Sequence, residues 1–174
     1  MIDIVFPDKN EEEFIQMAER LGIPGLIFAY KNKQDFYAKK AKIPITNALL
    51  AQTKNSNITT ICPASREAIE RGADIVYGFE LLEQKDHTHY RKSGLNQVLC
   101  KLAAQKNVKI GFAFSTILNT TGQKQAILLG RIMQNIKLCN KYKIKIHIVS
   151  FAKDKYEMKS ANDTKSMQKI LGIQ

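Results

Sequence analysis

Ser93-Gly94-Leu95-Asn96-Gln97-Val98-Leu99-Cys100-Lys101-Leu102-Ala103-Ala104-Gln105-Lys106-Asn107-Val108-Lys109-Ile110-Gly111-Phe112-Ala113-Phe114 reads as a capped helix, a short turn and a buried strand. Ser93 has the side chain of a good N-cap. Leu95, Val98, Leu99, Leu102 and Ala103 recur on one face at helical spacing over 93–106. From Lys109 to Phe114 the run is apolar and does not alternate. Such a strand is covered on both faces, as parallel strands are. The stretch therefore predicts an α/β fold.

Further short apolar runs lie outward from it: Ile2–Phe6, Gly25–Tyr30, Ile43–Ala51, Asn57–Cys62, Ala73–Phe79 and Lys145–Val149. Helical patterns separate most of them, which argues for βαβ units. Asp8 and Glu11 resemble a capping box. Phe14, Met17, Ala18 and Leu21 follow at helical spacing, and Gly22 with Pro24 ends that helix. A second helix is expected from Asn32 to about Ala41, and a short one from Ser65 to Gly72. The last three are expected at about 93–106, 124–142 and 161–171. Between Ile43 and Cys62 there is no room for a helix, so one crossover is abbreviated. Residues 80–92 are polar and read as a loop. Seven strands predict a reduced or distorted TIM-like (β/α) barrel, since the usual barrel has eight strands and about 250 residues. An open doubly wound parallel sheet is the alternative. No linker or repeat interrupts the chain, so residues 1–174 are expected to form one domain.

The formal net charge of the 174 residues is +11. Residues 1–90 hold 11 Lys and Arg against 13 Asp and Glu; residues 91–174 hold 16 against 3. A basic half points to a polyanion, most often nucleic acid. Cys62, Cys100 and Cys139 form no Cys-x-x-Cys and suit a reducing cytosol. The acidic residues Asp3 and Glu11-Glu12-Glu13 argue against a signal peptide. No apolar run approaches the roughly 20 residues that span a membrane.

Barrel enzymes keep their chemistry at the carboxyl ends of the strands. There the sequence offers only Asp8 and Glu80 as carboxylates. His147 falls inside a strand. His87-Thr88-His89 is a His-x-His, but its neighbours Lys85, Arg91 and Lys92 repel a metal ion. A metal-dependent phosphoesterase using Asp8, Glu80, His87 and His89 stays open as an alternative, as does a scaffold that binds an acidic protein. Nucleotide-cofactor and nucleophile-elbow motifs are missing.

In helix 124–142, Leu129, Ile132, Met133, Ile136 and Cys139 share one face. Lys124, Arg131, Gln134, Asn135, Lys137 and Lys141 occupy the other. Lys143, Lys145, Lys153, Lys155, Lys159, Lys165 and Lys169 continue the charge. Acidic partners at i,i+4 are nearly absent, so helix-surface ion pairs do not account for it. Aromatic residues are sparse here (Tyr90, Tyr142, Phe151, Tyr156), which favours recognition of RNA shape and backbone over base stacking. Arg91, Lys92, Lys124, Arg131, Lys137, Lys141, Lys153 and Lys159 are the candidate phosphate contacts. Ser93, Gly94 and Asn96 are expected to shape the turn beside them.

The run Ser93–Leu99, then Asn107–Phe112, resembles the archaeal ribonuclease P protein component 3 family. Asn135-Ile136-Lys137-Leu138-Cys139-Asn140-Lys141-Tyr142 is similar to that family's next helix. Ser150-Phe151-Ala152, Met158-Lys159-Ser160 and Leu171-Gly172 are similar to its closing section. The resemblance implies a TIM-barrel-like chain related to the polymerase-and-histidinol-phosphatase fold, without that superfamily's metal centre. Phe6-Pro7-Asp8 stands where the superfamily has His-x-His. It further implies a cytoplasmic subunit that binds ribonuclease P RNA alongside component 2 and other ribonuclease P subunits. Such a holoenzyme removes the 5′ leader of precursor tRNA, with the chemistry and the magnesium on the RNA and no catalytic residue or cofactor in this chain. Gln97 stands where many members have His, and Phe151 where many have Gly. The chain is shorter than typical members.

Overall fold

The computed structural model describes residues 2–83 and 85–173. Its strands are β1 (Asp3–Val5), β2 (Leu26–Tyr30), β3 (Ile45–Leu50), β4 (Thr59–Pro63), β5 (Ile75–Tyr77), β6 (Lys109–Ala113) and β7 (Ile146–Val149). All neighbours pair in parallel, and the spatial order β1 to β7 is the chain order. The helices are α1 (Glu11–Arg20), α2 (Arg66–Glu70), α3 (Gln97–Lys106), α4 (Phe114–Leu118), α5 (Gly122–Lys141) and α6 (Ala161–Leu171).

The seven strands form a nearly closed TIM-like barrel, not an open doubly wound sheet. The chain leaving β7 bends across to β1, where Val5 pairs in parallel with Ala152. The Phe6 amide donates to the Ala152 carbonyl at 2.8 Å. The Ser150 amide donates to the Asp3 carboxylate at 2.6 Å, and the Ser150 hydroxyl to the Ile4 carbonyl at 3.3 Å. A side chain thus completes what an eighth strand's backbone does elsewhere. Fewer strands make a narrower lumen, and small residues fit it. Ala29, Ala48 and Ala113 sit inside with Ile4, Ile61, Ile75 and Val149.

Outside the barrel, Phe14 and Ala18 of α1 bury against Leu26, Phe28 and Tyr30. Cys100 and Ala103 of α3 pack with Ile132, Ile136 and Cys139 of α5 against β5 to β7. All three cysteines are free and buried. Burial pushes the Cys100 thiol up to about 11 and Cys139 upward too, so both act as small apolar groups.

Three local expectations are corrected. Residues 32–41 are not a helix: a single 3₁₀ turn, Lys33–Asp35, is followed by extended chain. Phe36 and Tyr37 are adjacent, yet both rings pack on β2, on Tyr30 and Phe28 respectively. Helical geometry would separate them by about 100°. Asn10, not Asp8, precedes α1, and its side chain takes the Asp8 amide instead of capping the helix. Ser93 does not cap α3; Asn96 does, accepting from the Leu99 amide at 2.9 Å. Among the described residues, no helix is long and apolar enough to cross a membrane.

Candidate nucleic-acid interface

After β5, Gly78 takes φ +88° and the chain makes a 3₁₀ turn at Phe79–Leu81. The loop that follows, up to Asn96, lies over α5. Its inner carbonyls leave water and need donors. Arg131 supplies them. Its Nη1 donates to the Glu80 carbonyl at 3.1 Å and to the Glu83 carbonyl, and its Nε donates to Asp86 at 2.8 Å. Nη2 lies 2.7 Å from the same Asp86 oxygen, and the Arg131 side chain is only 6% exposed. Asn135 donates to the Ser93 carbonyl at 2.6 Å, and Gln134 reaches the Arg91 carbonyl.

This corrects the expected face of α5. Arg131 and Asn135 belong to its buried side with Leu128, Ile132, Ile136 and Cys139, while Met133 is 40% exposed. The loop, not solvent, covers that side. Ion pairs are also commoner than the local pattern predicts, because the acids come from the first half. Besides Arg131 with Asp86, Lys92 pairs with Glu83 at 3.3 Å and Lys155 with Glu13 at 3.1 Å. Burial raises the Asp86 carboxyl, but hydrogen bonds from Arg131 and the Lys92 amide outweigh it and hold the group below its usual range.

Gly94 is fixed by the same packing. A Cβ there would lie 2.1 Å from the Phe79 carbonyl oxygen, and φ is +85°. Ser93, Gly94 and Asn96 therefore shape the loop-to-helix turn by seating the loop and starting α3.

The remaining candidate cations are differently placed. The Arg91 side chain crosses α5 at Gly130, where a Cβ would lie 2.9 Å from its Nε. Lys124, Lys137 and Lys141 are exposed along α5, whose rise separates the first from the last by about 25 Å. Lys153 stands apart, at the carboxyl-end mouth of the barrel beside Asp8 and Tyr77. Lys159 is half-buried ahead of α6. Among the described residues, none of these six cations takes part in an ion pair. At the opposite end of the barrel, Lys143, Lys145 and His147 line a hollow of about 460 Å³. Burial, then Lys109 and Lys145, lowers the His147 pKa below its ordinary value.

The residues named for a metal centre do not converge. Asp8 lines the mouth cavity; His87 and His89 line a separate surface hollow with Arg91 and Gln134. The His87 ring packs on Tyr90 at 4.3 Å. Glu80 is 1% exposed, and neither carboxylate oxygen has a hydrogen-bond partner among the described residues. Among the described residues, no three His, Cys, Asp or Glu side chains are grouped to hold a metal ion.

Comparison with known proteins now bears on the site. No protein-family model matches the chain. It is 28% identical over 129 residues to ribonuclease P protein component 3 of Methanosarcina acetivorans, an alignment covering 74% of this chain and 53% of that protein. It is 26% identical to the Methanococcus vannielii protein of the same name, covering 98% of this chain and 84% of that one. The chain is a relative of ribonuclease P protein component 3. It spans about half the length of the first of these component 3 relatives. Among solved structures, a chain of archaeal ribonuclease P with mature tRNA superposes with a TM-score of 0.79 at 23% identity, covering 99% of this chain and 83% of that one. The two share a fold. Set beside component 3, the Ser93–Leu99 signature has a structural use in this chain: its Ser93 carbonyl is held by Asn135 of α5, its Gly94 packs on Phe79, and its Asn96 starts α3.

Proposed function

We propose that this chain is an RNA-binding protein subunit of ribonuclease P, acting in the cytoplasm. In this reading it binds the catalytic RNA together with component 2 and other protein subunits, and it assists removal of the 5′ leader from precursor tRNA. The chain supplies no catalytic residue; the magnesium ions that carry the reaction belong to the RNA. The observation that carries the reading is the kinship with component 3 proteins over most of the chain. Lys124, Lys137 and Lys141, exposed along α5 and in no ion pair among the described residues, support it, because cations not neutralised by acids are what phosphate recognition requires.

Reconstitution tests it. Protein cations screen repulsion between phosphates, so the chain with component 2 should lower the magnesium concentration at which the cognate RNA cleaves precursor tRNA. The chain alone should cleave nothing. A magnesium dependence unchanged by the protein pair defeats the proposal. So does phosphoesterase turnover with stoichiometric bound metal that is abolished in Asp8→Asn.

A further inference from the structure

The barrel mouth holds a cavity of about 560 Å³, within the usual range of ligand sites. Its floor is aromatic. Phe6, from the end of β1, and Tyr77, from the end of β5, line it and are both part-exposed. Both pack against the buried ring of Phe151, with centroids 5.7 and 4.5 Å away and interplanar angles of 20° and 18°. The rim carries Asp8, Glu11 and Asp35 against Lys9, Lys31 and Lys153. Three carboxylates and three ammonium groups leave the cavity nearly neutral. A cluster of phosphates calls for unopposed cations, so it is not what this cavity fits. A flat, uncharged ring with hydrogen-bonding edges fits it well.

The backbone around the cavity is unusual. Among the described non-glycine residues, four have positive φ, and two of them border this site: Lys9 at +60° and Phe151 at +46°. Gly111 leaves the space that the Phe151 ring fills, since a Cβ there would lie 2.9 Å from it. Strained backbone of this kind gathers at ligand sites. Here it holds Phe151 flat against Tyr77.

We infer that the barrel mouth receives one unpaired nucleobase of an RNA, stacked on the Phe6 and Tyr77 floor with its phosphate toward Lys153. The inference rests on the RNA-binding reading above and adds to it a second contact, remote from the α5 face. Base-on-aromatic stacking recognises single-stranded or looped RNA with little sequence preference.

The full chain is titrated with a single-stranded RNA pentamer carrying 2-aminopurine at its centre. Stacking should quench its fluorescence. Phe6→Leu and Tyr77→Leu should abolish the quench and weaken binding roughly 5- to 150-fold, the effect of losing one base stack. Tyr77→Phe keeps a ring and should behave as wild type. The exposed pair Lys31→Gln with Lys153→Gln should weaken binding and flatten its salt dependence, yet leave the quench at saturation. If wild type does not quench the probe, or if the Leu variants quench it fully, the inference is overturned. Should the Leu variants fail to fold, unchanged affinity and salt dependence in the lysine pair overturns it instead. In each case structured ribonuclease P RNA is titrated in parallel. Retained binding there leaves the subunit reading standing, whereas loss of it in wild type removes both.

Discussion

Arg131 shows how one residue changes meaning with its surroundings. As a surface cation, its replacement by Gln would cost at most about 0.5 kcal/mol. Here its guanidinium holds two backbone carbonyls and a half-buried carboxylate. Arg131→Gln should destabilise the fold by about 2–4 kcal/mol, because the carbonyls and Asp86 lose their donor. Lys137→Gln should stay within about 0.5 kcal/mol, and urea unfolding of the two variants separates the cases. Glu80 supplies a second test at this scale. Burial pushes its carboxyl up to about 7 from an ordinary 4.5. The folded state then holds a proton that the unfolded state releases, so stability should fall as pH rises from about 4.5 to 7. The loss is on the order of 3 kcal/mol for a shift of this size. Glu80→Gln should remove that slope and leave the variant more stable than wild type at pH 8. A wild type equally stable at both ends of the window contradicts the assignment. Asp86 titrates in the opposite sense. Its lowered carboxyl stabilises the fold above the ordinary value of 3.8, and that contribution is lost on acidification.

At the scale of the element, α5 divides into a side that holds the loop and a side left to solvent. Changing Lys124, Lys137 and Lys141 together to Gln should leave the fold nearly intact. It should flatten the salt dependence of RNA affinity by about two to three units on logarithmic axes, since each phosphate contact contributes about 0.7 to 0.9. Titration over a range of potassium chloride measures this, and an unchanged slope moves the RNA off this helix. All seven strands were legible in the sequence, because continuous apolar runs bounded by Gly, Pro and Asn report only local covering. The cap of α3 was misread by three residues, as Ser93 and Asn96 carry equally good capping groups and only packing against Asn135 decides between them. The buried side of α5 was misread for a longer-range reason. Asp86 lies 45 residues from Arg131, and no helical periodicity reports a loop that folds back. The aromatic floor was invisible for the same cause, since Phe6, Tyr77 and Phe151 come from three distant strand ends. In sequence the aromatics are sparse and scattered, which favours recognition of RNA backbone over base stacking.

At the scale of the whole molecule, the barrel depends on its seam. Asp3 is buried, and burial raises its carboxyl against the lowering effect of its hydrogen bonds to Ser150 and Ile4. Asp3→Ala should loosen the seam without dismantling the sheet. Amide hydrogen exchange should accelerate at Phe6 and Ser150, while the core of β4 and β5 keeps its protection. Equal acceleration everywhere would mean that the seam is not a separable unit. The order of the strands has a further consequence. Each strand pairs with the one made just before it, so the sheet can grow in the direction of synthesis, one neighbour at a time, with little loop closure to wait for. The seam joins the first strand to the last, and the Lys155–Glu13 ion pair ties the late chain to α1 beside it. Until Ser150 and Ala152 leave the ribosome, β1 keeps an open edge and the alanine-lined lumen stays unsealed. A chain stalled in its last quarter would therefore carry almost the whole sheet and still present two sticky edges, β1 and the last strand made, the very feature that invites pairing with a neighbouring chain.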